Sequence, residues 1–357
     1  MTFNERVTNL LQMPLSPITW DSILRECDRL DQDFPHIHSA YKWTLDYRRF
    51  QVEHERGNNG AAIWHLKSAI ATMPYNSEIV EDYRQLVKKE AGIHSLVLII
   101  TSKINEAKAF RLAAQFDQAD IDYMIVSGAD TPSIAHARAL QVDVSDRYES
   151  NPQKVAAAFT WVYENIGANV GVLKVDDDMV LQDGAKLRAS LERLAHEGGY
   201  AGVPSGGSEH DRCWHWGLCL SQDLNKRVYG RPVLRPWAAG GAYYLGARAL
   251  EKLILSLMRF PGLFEGEYYE DKLIGDVLVF EGEQLNDVGG YAAFGLSEAT
   301  AASAPGVQAP MAAAPVAPVV TIAPPAAASV PPPAPAAPAS VSQKGGAALR
   351  LSEWNSR

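Results

Sequence analysis

The sequence predicts an α/β protein of Rossmann-like fold class: a mostly parallel sheet flanked by helices, an α-helical region before it and a disordered tail after it. Between residues 93 and 296, short apolar runs alternate with segments of helical periodicity. Residues 1–92 show helical periodicity alone, and residues 299–343 contain no charged or aromatic residue. Alternating strands and helices are typical of a parallel sheet covered by helices.

The N-terminal region, residues 1–92, divides into amphipathic segments. Apolar residues recur at helical spacing in four of them: 20–30, 40–55, 61–73 and 77–90. Residues 57–60 and 74–76 supply glycine, asparagine and proline breaks. Residues 60–69 look like the second helix of a tetratricopeptide unit. Such units need neighbours to bury their faces, so we expect helical hairpins packed on the next domain, with a peptide-binding superhelix as the alternative.

The second region, residues 93–297, is predicted to hold the sheet. Short apolar runs bounded by turn residues are typical of buried strands. They occur at residues 95–101, 121–126, 140–144, 170–176 and 200–203, with helical segments at 107–116, 152–165 and 185–196. Ligands of such sheets bind beyond the carboxyl ends of the strands, which is where Thr101, Ser127 and Asp176 fall.

Three consecutive carboxylates, Asp176, Asp177 and Asp178, end the fourth apolar run. Carboxylate oxygens at a strand end are typical ligands of a hard divalent cation, and Mg²⁺ or Mn²⁺ there can also bind the phosphates of a nucleotide. A solvated acidic loop is the alternative interpretation.

A second acidic segment follows about ninety residues later. Glu270 and Asp271 stand after two tyrosines, at the point where apolar residues begin to recur at helical spacing. Acidic residues favour the first turn of a helix, which explains either carboxylate alone but not the aromatic pair before them.

These two segments resemble those of the β1,3-galactosyltransferase and Fringe-type glycosyltransferases. That family carries a Lys-x-Asp-Asp-Asp strand end and a later Glu-Asp-x-x-x-Gly element, here Lys174 to Asp178 and Glu270 to Gly275. Further similar segments occur in the family's order, so that the resemblance covers about residues 93–296. They are residues 94–102, 109–111, 146–148 with Lys154, and 237–250.

The resemblance implies a GT-A-like fold that matches the predicted sheet. It also implies a metal-dependent hexosyltransferase that moves a sugar from a nucleoside diphosphate sugar, with UDP expected, to a glycan or other hydroxyl acceptor with inversion. It implies Mn²⁺ or Mg²⁺ on Asp176 and Asp178, and catalysis by Asp271 and Glu270. Expected donor contacts are Thr101, Ser102, Arg111, Lys154, Lys174, Asp176 and Asp177. Expected acceptor contacts are Trp237, Gly240, Gly241, Tyr268, Tyr269 and His215.

Several of these residues have a second interpretation. Arg111 and Lys154 either approach phosphate or brace the acidic loop, the aromatic residues either stack on sugar or fill the core, and His215 either meets a ligand or is packed. The family also supplies a metal-ligating histidine after its Glu-Asp element, whereas no histidine follows His215 here.

Two other functions stay open on the sequence. A nucleotidyltransferase would use the same aspartates, although no glycine-rich phosphate loop is present. A catalytically inactive binding protein would explain the missing histidine.

Composition restricts the partners and the compartment. The net charge of −9 argues against nucleic acid, which requires a basic face. Three cysteines without zinc spacing fit a reducing compartment. Residues 1–30 hold no apolar stretch suited to a signal peptide or a transmembrane segment, so we expect a cytoplasmic, bacterial-type enzyme.

The C-terminal sequence divides into two parts. The Ala/Pro-rich stretch within residues 298–343 predicts a disordered linker, since it offers little apolar surface to bury. Residues 344–357 are either a frayed terminus or a short docking motif. A protein partner is expected, if at all, at this tail or at the N-terminal helices.

Overall fold

The computed structural model describes residues 2–36, 39–87, 94–205, 215–231 and 236–299. The predicted linker beyond Ala299 and the whole of the predicted tail lie outside these residues. Over the described part, no helix combines the length and the apolar character needed to cross a membrane.

Over its described residues, the N-terminal region forms five helices, which are the four that the periodicity predicts and an additional helix at Phe3–Gln12. They are α1 (Phe3–Gln12), α2 (Trp20–Asp33), α3 (Ser39–Glu55), α4 (Asn59–Thr72) and α5 (Ser77–Val87). Thr2 and Glu5 form a capping box that satisfies free N–H groups at the start of α1. Leu10, Ile23 and Leu30 are fully buried in a small core between the first helices.

The later N-terminal helices pack on the α/β part of the chain. Tyr83 of α5 is buried and donates a hydrogen bond of 2.9 Å to Glu164, which also pairs with Lys67 of α4 at 2.8 Å. Leu66 and Ile70 of α4 belong to the same apolar core as residues of the sheet. Helices α4 and α5 therefore pack directly on the α/β part of the chain.

In the described part of the chain, the sheet has seven strands in the order β3-β2-β1-β4-β7-β6-β8. All run in one direction except β7, which is antiparallel to both of its neighbours. A separate antiparallel pair joins β5 to β9. The strands are β1 (Ser95–Ile100), β2 (Tyr123–Gly128), β3 (Ala139–Val142), β4 (Gly171–Asp176), β5 (Met179–Leu181), β6 (Tyr200–Ser205), β7 (Trp237–Leu245), β8 (Leu285–Asp287) and β9 (Leu296–Glu298).

Five further helices, counted over the described residues, cover the two faces of the sheet. They are α6 (Glu106–Gln118), α7 (Asn151–Asn165), α8 (Gly184–Glu197), α9 (Ala247–Arg259) and α10 (Glu270–Phe280). Side chains along a strand alternate between faces. Leu96 and Leu98 of β1 therefore join the core under α7 and α9, whereas Val97 and Ile99 join the core under α6 and α8. The predicted α/β fold class is confirmed.

Strand register places the polar strand ends together. Ile100 lies opposite Asp176 on β4, and the Thr101 N–H donates to the Val126 carbonyl at 3.0 Å. The carboxyl ends of β1, β2 and β4 therefore meet at one edge of the sheet, which confirms the predicted convergence of Thr101, Ser127 and Asp176.

Some elements differ from the sequence prediction. The strand expected at residues 121–126 lies two residues later, at Tyr123–Gly128. The reversed direction of β7 and the β5–β9 pair were not predicted, because apolar periodicity carries no information about strand direction or about partners distant in sequence.

Candidate functional site

Lys174 connects the two acidic segments. It lies on β4 with 1% of its side chain exposed, and its Nζ atom is 2.6 Å from Asp176 Oδ1 and 2.7 Å from Glu270 Oε1. Its third hydrogen bond goes to the Gly240 carbonyl on β7. An ammonium group has three N–H donors, so all three are used. The paired carboxylates raise the pKa of Lys174 against the opposing effect of burial, which keeps it charged.

This position changes the expectation for Lys174. The sequence prediction gave it a donor contact, but the structure places its ammonium group among three protein acceptors. Binding a phosphate directly would require it to release one of them.

The three aspartates after β4 occupy different environments. Asp176 and Asp177 are partly buried, whereas Asp178 is exposed. Burial raises the pKa of Asp176 to about 7, with Glu270 and Asp178 adding to the shift and Lys174 opposing it. Asp177 accepts a hydrogen bond of 2.5 Å from the Thr101 hydroxyl, which ties the ends of β4 and β1 together.

Glu270 and Asp271 begin α10, as predicted, and they are held differently. Glu270 is buried, with one oxygen on Lys174 and the other 2.8 Å from the Tyr243 hydroxyl. Asp271 is partly buried, and its Oδ1 accepts the Lys272 backbone N–H at 2.8 Å. Burial raises the pKa of both carboxyls. Glu270 has both oxygens bonded within the protein, and Asp271 also receives a hydrogen bond from the Trp237 side chain.

Gly240 lies beside these two carboxylates. A Cβ atom at this position would lie 3.5 Å from Asp271 Oδ2 and 3.6 Å from Glu270 Oε1. The predicted acceptor position Gly240 is therefore next to the predicted catalytic pair.

Gly241 contacts a residue that sequence reasoning missed. A Cβ atom here would lie 2.7 Å from the Tyr291 hydroxyl and 3.3 Å from the Met179 sulfur. Burial raises the pKa of Tyr291 to about 12, with Asp176 adding to the shift and Lys174 opposing it. Tyr291 thus lies near the acidic residues, and the Gly289-Gly290 pair before it is the local signal of an irregular turn.

Gly275 explains the spacing of the Glu-Asp-x-x-x-Gly element. A Cβ atom on this α10 residue would overlap Trp237 Cβ on β7 and lie 3.4 Å from the Tyr200 hydroxyl. The glycine lets α10 approach the sheet closely, and that approach brings Glu270, one turn earlier, to Lys174.

Lys154 braces the strand-end loops. Its buried Nζ donates to the Thr101 carbonyl at 2.9 Å and pairs with Asp146 at 3.2 Å. Asp146 also accepts the backbone N–H groups of Gly128 and Lys103 at 2.8 and 2.7 Å. Of the two uses left open for Lys154, the structure favours bracing, although its partner is Asp146 and not the acidic triplet.

Two expected donor contacts are peripheral in this arrangement. Ser102 precedes a short turn and accepts a hydrogen bond of 3.3 Å from Asn105. Arg111 is exposed on α6 and forms no ion pair within the described residues.

The expected acceptor aromatics lie in the interior. Trp237, Tyr268 and Tyr269 are 4%, 5% and 8% exposed, which favours their alternative role as core residues. Glu267 holds this corner, since its carboxylate accepts the Tyr229 hydroxyl at 2.6 Å and the Tyr268 and Tyr269 N–H groups at 3.0 and 2.9 Å.

His215 is fully buried, with both ring nitrogens in use. Nε2 is 2.9 Å from the Arg227 carbonyl and Nδ1 is 2.6 Å from the Tyr269 hydroxyl. A carbonyl only accepts, so Nε2 carries a proton and donates it. The structure thus favours the packed role for His215, which supports Tyr269 at the N-cap of α10.

The site offers some, but not all, of the ligands that a hard divalent cation needs. Asp176 and Asp178 offer oxygen ligands, the class that Mg²⁺ and Mn²⁺ prefer, and such ions retain waters and bind substrate phosphates. Among the described residues, no set of three or more His, Cys, Asp and Glu side chains is arranged to hold a metal ion. A cation here would depend on the two aspartates together with water and phosphate.

Comparison with known proteins adds little. No protein-family model matches the chain, and no curated protein matches it. Among solved structures, it is similar to a glucose-1-phosphate thymidylyltransferase from Bacillus anthracis in complex with sucrose. The two share 14% identity, over 57% of this chain and 89% of the other, with a TM-score of 0.32. A likeness at this score supports no argument about function.

Proposed function

We propose that the protein is a metal-dependent, inverting glycosyltransferase that uses a nucleoside diphosphate sugar, UDP-hexose being the expected donor. The observation that carries this proposal is the bridge made by Lys174, 2.6 Å from Asp176 and 2.7 Å from Glu270. It joins the strand-end triplet to the Glu-Asp element, the two segments on which the resemblance to Fringe-type enzymes depends. The α/β fold, with its polar strand ends at one edge, is compatible with this function.

In this proposal Asp271 is the general base. The acceptor hydroxyl would approach over Gly240, whose Cβ position lies 3.5 Å from Asp271 Oδ2, and burial raises the pKa of Asp271. Asp271 takes the proton from that hydroxyl as the oxygen attacks the anomeric carbon. Attack from the side opposite the leaving diphosphate inverts the configuration, and a positioned base contributes about 10²–10⁴-fold in rate.

The other residues hold this arrangement. Asp176 and Asp178 would hold Mn²⁺ or Mg²⁺, which neutralises charge on the leaving diphosphate when bound. Glu270 and Lys174 act as positioning residues, because their polar atoms are already bonded within the protein. Asp177, through Thr101, fixes the loop that carries Asp178.

Asp271→Asn tests the base. We expect donor binding and the melting temperature to stay near the wild-type values, while turnover falls by about 10²-fold or more. The matched control is Asp276→Asn on the same helix, whose carboxylate pairs with Lys272 at 2.5 Å and is 52% exposed. Turnover that persists in Asp271→Asn would remove the base assignment.

A substrate panel tests the reaction class. Purified protein is incubated with Mn²⁺ and nucleotide sugars, and release of nucleoside diphosphate is measured. Release of pyrophosphate from a nucleoside triphosphate and a sugar phosphate would instead indicate a nucleotidyltransferase. Donor binding without either product would indicate a binding protein.

Asp178→Asn tests the metal. The carboxylate is exposed, so the fold should be unaffected, whereas Mn²⁺-dependent donor binding should be lost in calorimetry. Unchanged donor affinity would exclude Asp178 from the metal site.

A further inference from the structure

A groove crosses the N-terminal helices, away from the candidate site. Its volume is about 530 Å³, within the range of sites that bind ligands. One wall is a stripe of α3 that presents Tyr47, Phe50 and His54, at the i, i+3, i+7 spacing of a single helix face. The other wall is α5, which presents Asp82 and Leu86.

The groove combines an apolar floor with acidic edges. Phe50 is buried and its ring stacks on His54 with centroids 5.7 Å apart, while Leu86 is partly buried. Glu55 at one edge is exposed, and Asp82 accepts a hydrogen bond of 2.6 Å from the Tyr47 hydroxyl. Such a surface suits a segment with large apolar side chains and positive charge.

The chain itself contains a segment of that chemistry. Residues 344–357 carry three basic residues against one acidic residue, although the whole chain has a net charge of −9. The apolar side chains Leu349, Leu351 and Trp354 lie among them. Tryptophan and arginine are the residues that most often dominate binding energy at interfaces.

The intervening sequence is long enough for this segment to reach the groove. The described chain ends at Ala299, whose N–H donates to the Asp178 carbonyl at 2.9 Å. Residues 300–343 would span about 35–40 Å as a flexible chain and up to ~140 Å as polyproline II. A folded body of this size has a radius of gyration of about 19 Å. Tethering also gives an effective concentration in the millimolar range.

We propose that residues 344–357 dock in the α3–α5 groove of the same molecule, with Trp354 on the apolar floor and basic residues toward Glu55 and Asp82. This inference does not depend on the proposed enzymatic function. It gives the basic end of an acidic chain a partner that matches it in charge and in apolar character.

Photo-crosslinking in the full chain tests the docking. A benzophenone amino acid replaces Ser352, which leaves Trp354 intact, and crosslinked peptides are mapped by mass spectrometry. We expect crosslinks to α3 and α5 whose yield falls about fivefold or more with Glu55→Lys and with Trp354→Ala. Glu81→Lys, on α5 next to Asp82 but outside the groove, is the matched control and should leave the yield unchanged.

The outcomes are distinct. Mixing protein of natural isotope content with uniformly ¹⁵N-labelled protein separates crosslinks within one molecule from those between copies. Predominantly mixed-isotope crosslinks would overturn the proposal in favour of a second copy, and crosslinks that avoid α3 and α5, or are insensitive to Glu55→Lys, would overturn the groove itself.

Discussion

Lys174→Met removes the charge that joins the two acidic segments while keeping most of the apolar length of the side chain. The substitution leaves Asp176, Glu270 and the Gly240 carbonyl without the ammonium group that they share. Glu270 is buried and, among the described residues, keeps only the Tyr243 hydroxyl as a partner, so its charge becomes poorly compensated.

The expected loss follows from the burial of this pair. Removing one partner of a buried ion pair typically lowers the free energy of unfolding by about 3–5 kcal/mol. At roughly 2 °C per kcal/mol for a chain of this size, the melting temperature should fall by about 6–10 °C. Urea unfolding followed by circular dichroism measures the free energy directly.

Lys67→Met is the matched control. Its ion pair with Glu164 has a similar length, 2.8 Å, but the Lys67 side chain is 35% exposed. Solvent weakens such pairs, so the expected loss is about 0–1 kcal/mol. The double variant Lys174→Met/Glu270→Gln should recover part of the loss, because a neutral amide costs less to bury than an unpaired carboxylate. A loss in Lys174→Met no larger than in Lys67→Met would refute the bridge as the connection between the two segments.

Two further predictions follow from the geometry. Gly275→Ala should lower the free energy of unfolding by about 1–3 kcal/mol, because its Cβ would overlap Trp237. The control Gly60→Ala in α4 meets no atom within 4 Å and should be neutral or stabilising. Equal melting temperatures for the two variants would contradict this packing argument. Mn²⁺-dependent donor binding should strengthen as the pH rises from about 6 to 8, because burial raises the pKa of Asp176 to about 7 and a protonated carboxyl does not ligate a cation. Calorimetry across that pH range measures the donor affinity. An affinity that does not change with pH would exclude Asp176 as a ligand.

Local sequence determined the elements and the placement of several polar residues. Apolar residues that recur with a period of two share one face of a strand, and those that recur with a period of 3.6 share one face of a helix. The period therefore predicts which element can bury its apolar face. The order of strands and helices then specified the fold class, and an acidic run directly after β4 had to lie at the carboxyl edge of the sheet. The same logic placed Glu270 and Asp271 at the start of α10.

Tertiary structure alone decided which of these residues meet. Lys174 and Glu270 lie far apart in sequence, and their contact depends on the reversed strand β7 and on the close approach that Gly275 permits. The local sequence pattern likewise does not show whether an aromatic residue is exposed for sugar stacking or buried in the core. Tyr268 and Tyr269 became interior because Glu267 and His215 enclose them.

Secondary structure and tertiary contacts differ in how predictable they are because they depend on interactions over different distances along the chain. Backbone periodicity is set by neighbours within a few residues, so the sequence displays it directly. The partner of a buried charged side chain depends on which helix or strand packs against it in the folded protein, and that element can be distant in sequence. Packing of this kind distinguishes Glu270, which is bonded to Lys174 and Tyr243, from Asp271, which lies beside Gly240.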